Sequence, residues 1–353
     1  MRLVPSFAVC CILLFSCFSC QSQSIPTTVV KDSSTGKVVL LLNARDAATA
    51  IVTDTTYRFF NLITAAEMSV QMKKPLVQGT SSNVLLQEYL GFLASEPLDF
   101  TADDLIFIRK VINNMYSTAA GVNSNILPDT LRLIRSKENH YGPGVWYTRE
   151  NCIIIPDGEL ASKNTQSFTI TMFHELFHVY SRLNPGKRRD LYKTIGFESV
   201  GLGNLVLPET LKERVLHNPD GVDYAQKIDL KQPDGSIISA IPVIWSNNNG
   251  YTPQQKSFFN YVEFNLYPVS KDANGKWTVQ VGPDGLHSPI DVQEQSDFFR
   301  QIRENTGYII HPDEVLADNF AFIMREKRGD RIYSKLKEEG VRLLEEMEQI
   351  LRN

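Results

Sequence analysis

The run Thr165-Gln166-Ser167-Phe168-Thr169-Ile170-Thr171-Met172-Phe173-His174-Glu175-Leu176-Phe177-His178-Val179-Tyr180-Ser181-Arg182 is patterned as a helix. Ile170, Phe173, Phe177 and Tyr180 recur at three- and four-residue spacing, and Asn184-Pro185-Gly186 supplies the stop. His174, Glu175 and His178 are set into that apolar pattern. Their four-residue step is close to a helical turn of about 3.6 residues, so both imidazoles leave one face and can reach one ion. Zinc takes such nitrogen ligands in a tetrahedral shell, and a catalytic site keeps one position open, so three protein ligands are expected. Glu175, beside the first histidine, can take a proton from water activated there.

Roughly one chain in a hundred of this length carries His-Glu-x-x-His by accident, as two surface histidines on an amphipathic helix. Here the flanks are Met172, Phe173, Leu176, Phe177 and Val179. Burying two histidines and a glutamate among them without a metal is costly. The pattern is therefore read as a Zn2+ site.

The third ligand must come from elsewhere. Ser181 and Asn184 stand where a Gly and a third His would mark a metzincin, and His140, His217 and His287 lie in loop-like contexts. Glu198 follows His178 by twenty positions, but Gly196-Phe197-Glu198-Ser199-Val200-Gly201-Leu202-Gly203 is a poor helix, with nothing acidic four residues later. Glu314 is better placed. His311-Pro312-Asp313-Glu314-Val315-Leu316-Ala317-Asp318 puts a proline at a helix start and a Glu/Asp pair on one face. Glu314 can then bind the ion while Asp318 orients a ligand histidine. Without His174 and His178 the pair would read as a solvated helix face.

These motifs resemble the gluzincins, zinc metallopeptidases with His-Glu-x-x-His on one helix and Glu-x-x-x-Asp on a later one. The resemblance covers roughly residues 130–325. It implies His174, His178 and Glu314 as zinc ligands, Glu175 as general base and Asp318 as a supporting residue behind a ligand. It also implies that the strand before the metal helix, here Asn151–Pro156, lines the cleft and pairs with extended substrate. Tyr308 resembles the position of a catalytic tyrosine in some gluzincins, a donor to the oxyanion of the attacked carbonyl; His311 is the alternative. The chain departs from thermolysin-like spacing, because His178 and Glu314 are 136 positions apart. Residues from about 186 to 305 must form an insertion that returns to the site.

The chain has 353 residues, a formal charge of -4 and a charged fraction of 22%. That balance provides no overall field for nucleic acid or anionic membrane, so nucleic-acid binding is not expected. Cys10, Cys11, Cys17 and Cys20 crowd the start, and only Cys152 lies beyond, which leaves no disulfide framework. Met1-Arg2 and the apolar run to Phe15 have export-signal form and are too short for a comfortable membrane span. Leu14-Phe15-Ser16-Cys17 and Cys17-Phe18-Ser19-Cys20 both look like a bacterial lipobox, with Cys17 slightly preferred as the lipidated residue. Residues 1–20 are thus expected as a lipoprotein signal and 21–43 as a linker. Residues 44–129 read as a helical N-terminal region, and 130–353 as the catalytic domain with its insertion. Cys152, flanked by isoleucines in a strand, reads as packing.

The expected fold is α+β and zincin-like, with a β-rich insertion. The expected protein is a zinc metallopeptidase acting on peptide or protein, lipid-anchored through Cys17 or Cys20 in a bacterial cell envelope. A non-hydrolytic zinc-binding lipoprotein serving as scaffold or binding module is the alternative, and an amidase acting on a non-protein amide is a third reading.

Overall fold

Two sheets of six strands each and the helices packed on them give an α+β architecture. The computed structural model describes residues 26–353 except Ser34 and Lys256, so the lipobox cysteines Cys17 and Cys20 lie outside the described residues. The first sheet contains β1 (Thr28–Lys31), β2 (Val38–Leu41), β3 (Pro97–Leu98), β4 (Thr130–Ser136), β5 (Tyr147–Arg149) and β6 (Cys152–Pro156). Its order is β1-β2-β4-β6-β5, with β3 paired to the end of β4. Strands β2, β4 and β6 run parallel, and β1 and β5 are antiparallel edges. The unbroken isoleucine run of β6 suits such a centre, since a parallel core strand is buried on both faces.

One expectation for the N-terminal third changes. The stretch read as linker, 21–43, supplies β1 and β2, because Thr28-Val29-Val30-Lys31 and Val38-Val39-Leu40-Leu41 are β-branched runs joined by a turn with Gly36 at φ 73°. The helical region 44–129 is then the crossover that any parallel β2–β4 pair requires, and its last helix, Ala102–Val122, enters the main core. Asp54–Met72, whose apolar residues recur at helical spacing, is not one continuous helix. The Asp54 carboxylate accepts from the backbone N–H of Tyr57 and Phe59, and short helices begin at Phe59 and Ala65.

Helix Thr165–Leu183 forms as its spacing predicts. Asn164 caps its N-terminus by accepting from the Ser167 N–H, and the chain turns at Asn184 before Pro185. Phe168, Met172, Phe173, Leu176, Phe177 and Val179 enter a core with β2, β4 and β6, helix Ala102–Val122 and helix Pro312–Lys327. Burying each of these larger side chains is worth roughly 1.5–3 kcal/mol. That contribution fixes the helix and leaves His174, Glu175 and His178 on its remaining face. Phe177 meets Phe320 with ring centroids 5.5 Å apart, which aligns the two motif-bearing helices. The terminal helix, Glu338–Arg352, docks Leu343, Leu344, Met347 and Leu351 onto the same core.

The insertion builds the second sheet from β7 (Phe197–Ser199), β8 (Leu205–Val206), β9 (Gln226–Lys231), β10 (Ile237–Ser246), β11 (Val262–Lys271) and β12 (Trp277–Val279). Its order is β7-β9-β10-β11-β12-β8. Pro233-Asp234-Gly235 and Asn274-Gly275 turn the two hairpins, with Gly235 at φ 86° and Gly275 at φ 82°. Ile244 and Val262 of this sheet pack with Ile134, Cys152 and Ile154 on the far face of the first sheet. Between helix Glu209–Lys212 and β9 the chain passes through Asn218 and Asp220, which line the site described below. Among the described residues, no helix is long and apolar enough to cross a membrane.

Candidate metal centre

His174 and His178 leave helix Thr165–Leu183, and Glu314 enters from the first turn of helix Pro312–Lys327. His174 Nε2 lies 3.0 Å from His178 Nε2 and 3.0 Å from Glu314 Oε2, and His178 Nε2 lies 3.4 Å from that same oxygen. Zinc bonds of about 2.0–2.2 Å in a tetrahedron make ligand-to-ligand edges of about 3.3 Å. The three atoms already form that triangle.

The partners of the other ring nitrogens make the argument stronger. His174 Nδ1 donates to Asp318 Oδ1 at 2.9 Å, and His178 Nδ1 donates to Asp313 Oδ2 at 2.7 Å. Each imidazole thus spends its N–H on a carboxylate oxygen, which fixes the tautomer by its partner. Both Nε2 lone pairs then face one another and a carboxylate oxygen, three acceptors with no donor among them. Only a cation satisfies such a set. Without a metal, protons are drawn in. Burial alone would lower the His174 imidazolium, but its hydrogen bonds to Asp318 and Glu314 push it up to about 10. Burial likewise opposes charge on His178, yet Glu314, Asp220 and Asp313 carry it well above the usual histidine range. Burial would raise the Glu314 carboxyl, and the two histidines instead hold it well below the usual carboxylate range.

Each supporting group is itself supported. Asp313, fully buried, accepts from Ser181 Oγ at 2.6 Å and from the Tyr192 hydroxyl at 2.8 Å. Asp318 accepts from Thr306 Oγ1, and Glu314 Oε1 accepts from Asn218 Nδ2 at 2.5 Å. Asp220 Oδ1 receives the Thr148 N–H and hydroxyl of strand β5. The Arg182 guanidinium donates to Thr148 Oγ1 and Pro219 O, tying the Asn218–Asp220 loop to that strand.

Glu175 is a buried carboxylate whose Oε2 has no protein partner. Burial and the nearby Asp220 carboxylate push its pKa up to about 8. Its atoms border a cleft of about 400 Å³ lined also by His174, Asp220, Tyr308, Glu314 and the Gly144-Val145-Trp146 segment. The strand expected to line this cleft does not: β6 is paired on both sides, by β4 and β5, and cannot accept another strand. The outermost strand is β5, whose residues are buried, and the Gly144–Trp146 segment that leads into it is what borders the cleft.

The other predicted residues sort clearly. Tyr308 stands over the cleft, 39% exposed, with its ring 6.2 Å from His174 and nearly parallel to it. His311 is unsuited as an oxyanion donor: its Nδ1 accepts the Asp313 N–H as the helix cap, and its Nε2 donates to Asp223 O at 3.0 Å. Glu198 sits on β7, 60% exposed and paired with Lys227, far from this role. His140 pairs with Glu96, His217 with Glu67 and His287 with Asp284. Cys152 is a buried free thiol whose burial pushes its pKa up to about 11, consistent with packing. Among the described residues, His174, His178 and Glu314 form one of two clusters able to hold an ion; the other, Glu175, His178 and Asp220, shares His178 with it.

Asp313, Asn218 and Asp220 were not singled out in the sequence. Asp313 reads there as ordinary first-turn acid chemistry, and Asn218-Pro219-Asp220-Gly221 reads only as a turn. Gly221 marks the loop's close approach: a Cβ there would lie 2.3 Å from His311 Cε1. Gly221→Ala should therefore displace the Asn218–Asp220 loop or the His311 cap. We expect a loss of roughly 1–3 kcal/mol in denaturant unfolding, together with weaker zinc binding measured by competition with a chelating dye.

Comparison with protein-family models, with curated proteins and with solved structures gave no match for this chain.

Proposed function

We propose that this chain is a zinc metallopeptidase of gluzincin type on a zincin-like fold. The observation that carries the reading is the triangle of His174, His178 and Glu314 acceptor atoms beside an accessible cleft and an unpaired Glu175 carboxylate. The antiparallel edge strand beside the metal helix, and the third ligand on a later helix, support the zincin-like assignment. Two imidazoles and one carboxylate suit zinc, whereas magnesium and calcium favour shells of oxygen.

A bound zinc ion supplies Lewis acidity to water and to a carbonyl group. The chain's own groups do the rest. An extended peptide can lie along Gly144–Trp146, the exposed segment that leads into β5. It must do so there, because Asp220 already occupies the Thr148 N–H. Glu175 takes the proton of the attacking water and hands it to the departing amine; its Oε2, free of any protein partner, is the atom placed for both duties. The Tyr308 hydroxyl donates to the oxyanion that develops on the attacked carbonyl. Asp318 and Asp313 hold the two imidazoles in the tautomer that leaves Nε2 free. The lipobox-like segment supports placing this activity in the bacterial cell envelope, tethered through Cys17 or Cys20.

The test is metal content together with cleavage of a mixed peptide library. Purified protein should carry one zinc per chain, lose cleavage on chelation and regain it when zinc is restored. Protein that takes up no zinc would overturn the reading.

A further inference from the structure

A second, narrower pocket adjoins the cleft, and Val145, Trp146, Asp220, Phe259 and Tyr308 line both. Its remaining walls are mostly apolar, with Ile244, Phe258 and Val262 contributed by the insertion. The polar groups on those walls are already engaged within the protein. His217 pairs with Glu67, Asn218 with Glu314, and Asp220 with Thr148. The exception is Tyr141, whose buried hydroxyl has no partner. The pocket measures about 40 Å³. A void needs about 10–15 Å³ to admit a water, so this one has room for a single side chain, not a length of main chain. At the mouth stand Phe259, 52% exposed, and Tyr308, 39% exposed. Large apolar side chains left in water beside a cleft mark a surface that a ligand covers.

We propose that this pocket is the specificity site of the enzyme and receives an aromatic or branched apolar side chain from a substrate residue flanking the scissile bond. The inference rests on the peptidase reading. Acidic side chains are disfavoured by Asp220, Glu175 and Glu314 around the cleft. Basic ones find apolar walls and a carboxylate oxygen already filled by Thr148. An apolar side chain instead leaves bulk water and gains the contacts of Phe258, Ile244 and Val262. The selectivity thus comes from the insertion, which explains why the β-rich sheet is placed against the catalytic core.

Peptide-library cleavage read by mass spectrometry tests this with zinc-loaded wild type, Val262→Phe and Phe259→Ala. Wild type should enrich Phe, Tyr, Leu and Met at one position next to the cut. Val262→Phe fills the pocket and should lower the ratio of kcat/KM for Phe over Ala at that position by roughly ten- to a hundredfold. Phe259→Ala, a change at an exposed side chain, should lower the same ratio severalfold even if the larger substitution disturbs folding. Cleavage without an apolar preference, enrichment of acidic or basic residues, or an unchanged Phe-over-Ala ratio in both variants would overturn the pocket assignment and leave the peptidase reading standing. No cleavage by zinc-loaded wild type would overturn the peptidase reading, and the pocket assignment with it.

Discussion

Glu175→Gln should keep its zinc and lose roughly a hundred- to ten-thousandfold in kcat on peptides that wild type cleaves. Zinc is retained because Glu175 is not among the three atoms that converge at 3.0–3.4 Å. Cleavage is lost because an amide of nearly the same shape cannot accept and return a proton. Equal zinc with unchanged cleavage would sink the mechanism. Zinc bound with no cleavage by wild type or variant would favour a non-hydrolytic scaffold, while loss of activity confined to a non-peptide amide would favour an amidase.

The same substitution makes a stability prediction with a definite sign. The folded Glu175 carboxyl has its pKa raised from 4.5 to about 8 by burial and Asp220. A raised acid contributes most below its unfolded pKa, and that contribution fades as pH climbs through the folded value. Metal-free Glu175→Gln should therefore melt close to wild type near pH 4.5 and above it near pH 8. A reversed order would show that Glu175 is stabilised, not strained, by its surroundings.

The legibility of this chain follows from which residues act locally. Thr165–Leu183 could be read because one helix carries His174, Glu175 and His178 at fixed spacing, so no tertiary knowledge is needed. Glu314 and Asp318 were readable for the same reason, as a pair on one face with a proline start. Asp313 was missed because its side chain does its work across 135 positions, at His178. Nothing in the helix that carries it marks that contact. Asn218 and Asp220 lie in an irregular loop with no period at all. Strands β1 and β2 were hidden by the Ser/Thr-rich composition around them, and β1 shows its place only through pairing with β2. The cleft-lining edge was misplaced by one strand, because β5 and β6 are joined by a tight turn at Glu150 and sequence alone does not say which lies outside.

Glu314→Ala should abolish zinc retention and activity together, whereas Glu198→Ala should leave both intact. Losing a supporting hydrogen bond behind a ligand typically weakens a metal by about ten- to a hundredfold, so losing the ligand itself should exceed that range. The cause lies in the geometry. Removing Glu314 opens one corner of the triangle, and Asn218 loses the carboxylate that holds its amide. The Glu198 side chain is 60% exposed in an ion pair with Lys227 at 2.7 Å, the kind of surface pair worth about 0–1 kcal/mol. Zinc and activity that survive Glu314→Ala but vanish in Glu198→Ala would show that the third ligand had been misassigned. The supporting carboxylates should rank between these extremes. Asp313→Asn disturbs a buried group that also binds Ser181 and Tyr192, so it should weaken zinc more than Asp318→Asn, whose carboxylate is 30% exposed and can be partly replaced by water. Equal losses in the two variants would mean that burial does not set the strength of these supports. An Asp313→Asn protein with wild-type zinc affinity would mean that the His178 tautomer is fixed by something other than this hydrogen bond.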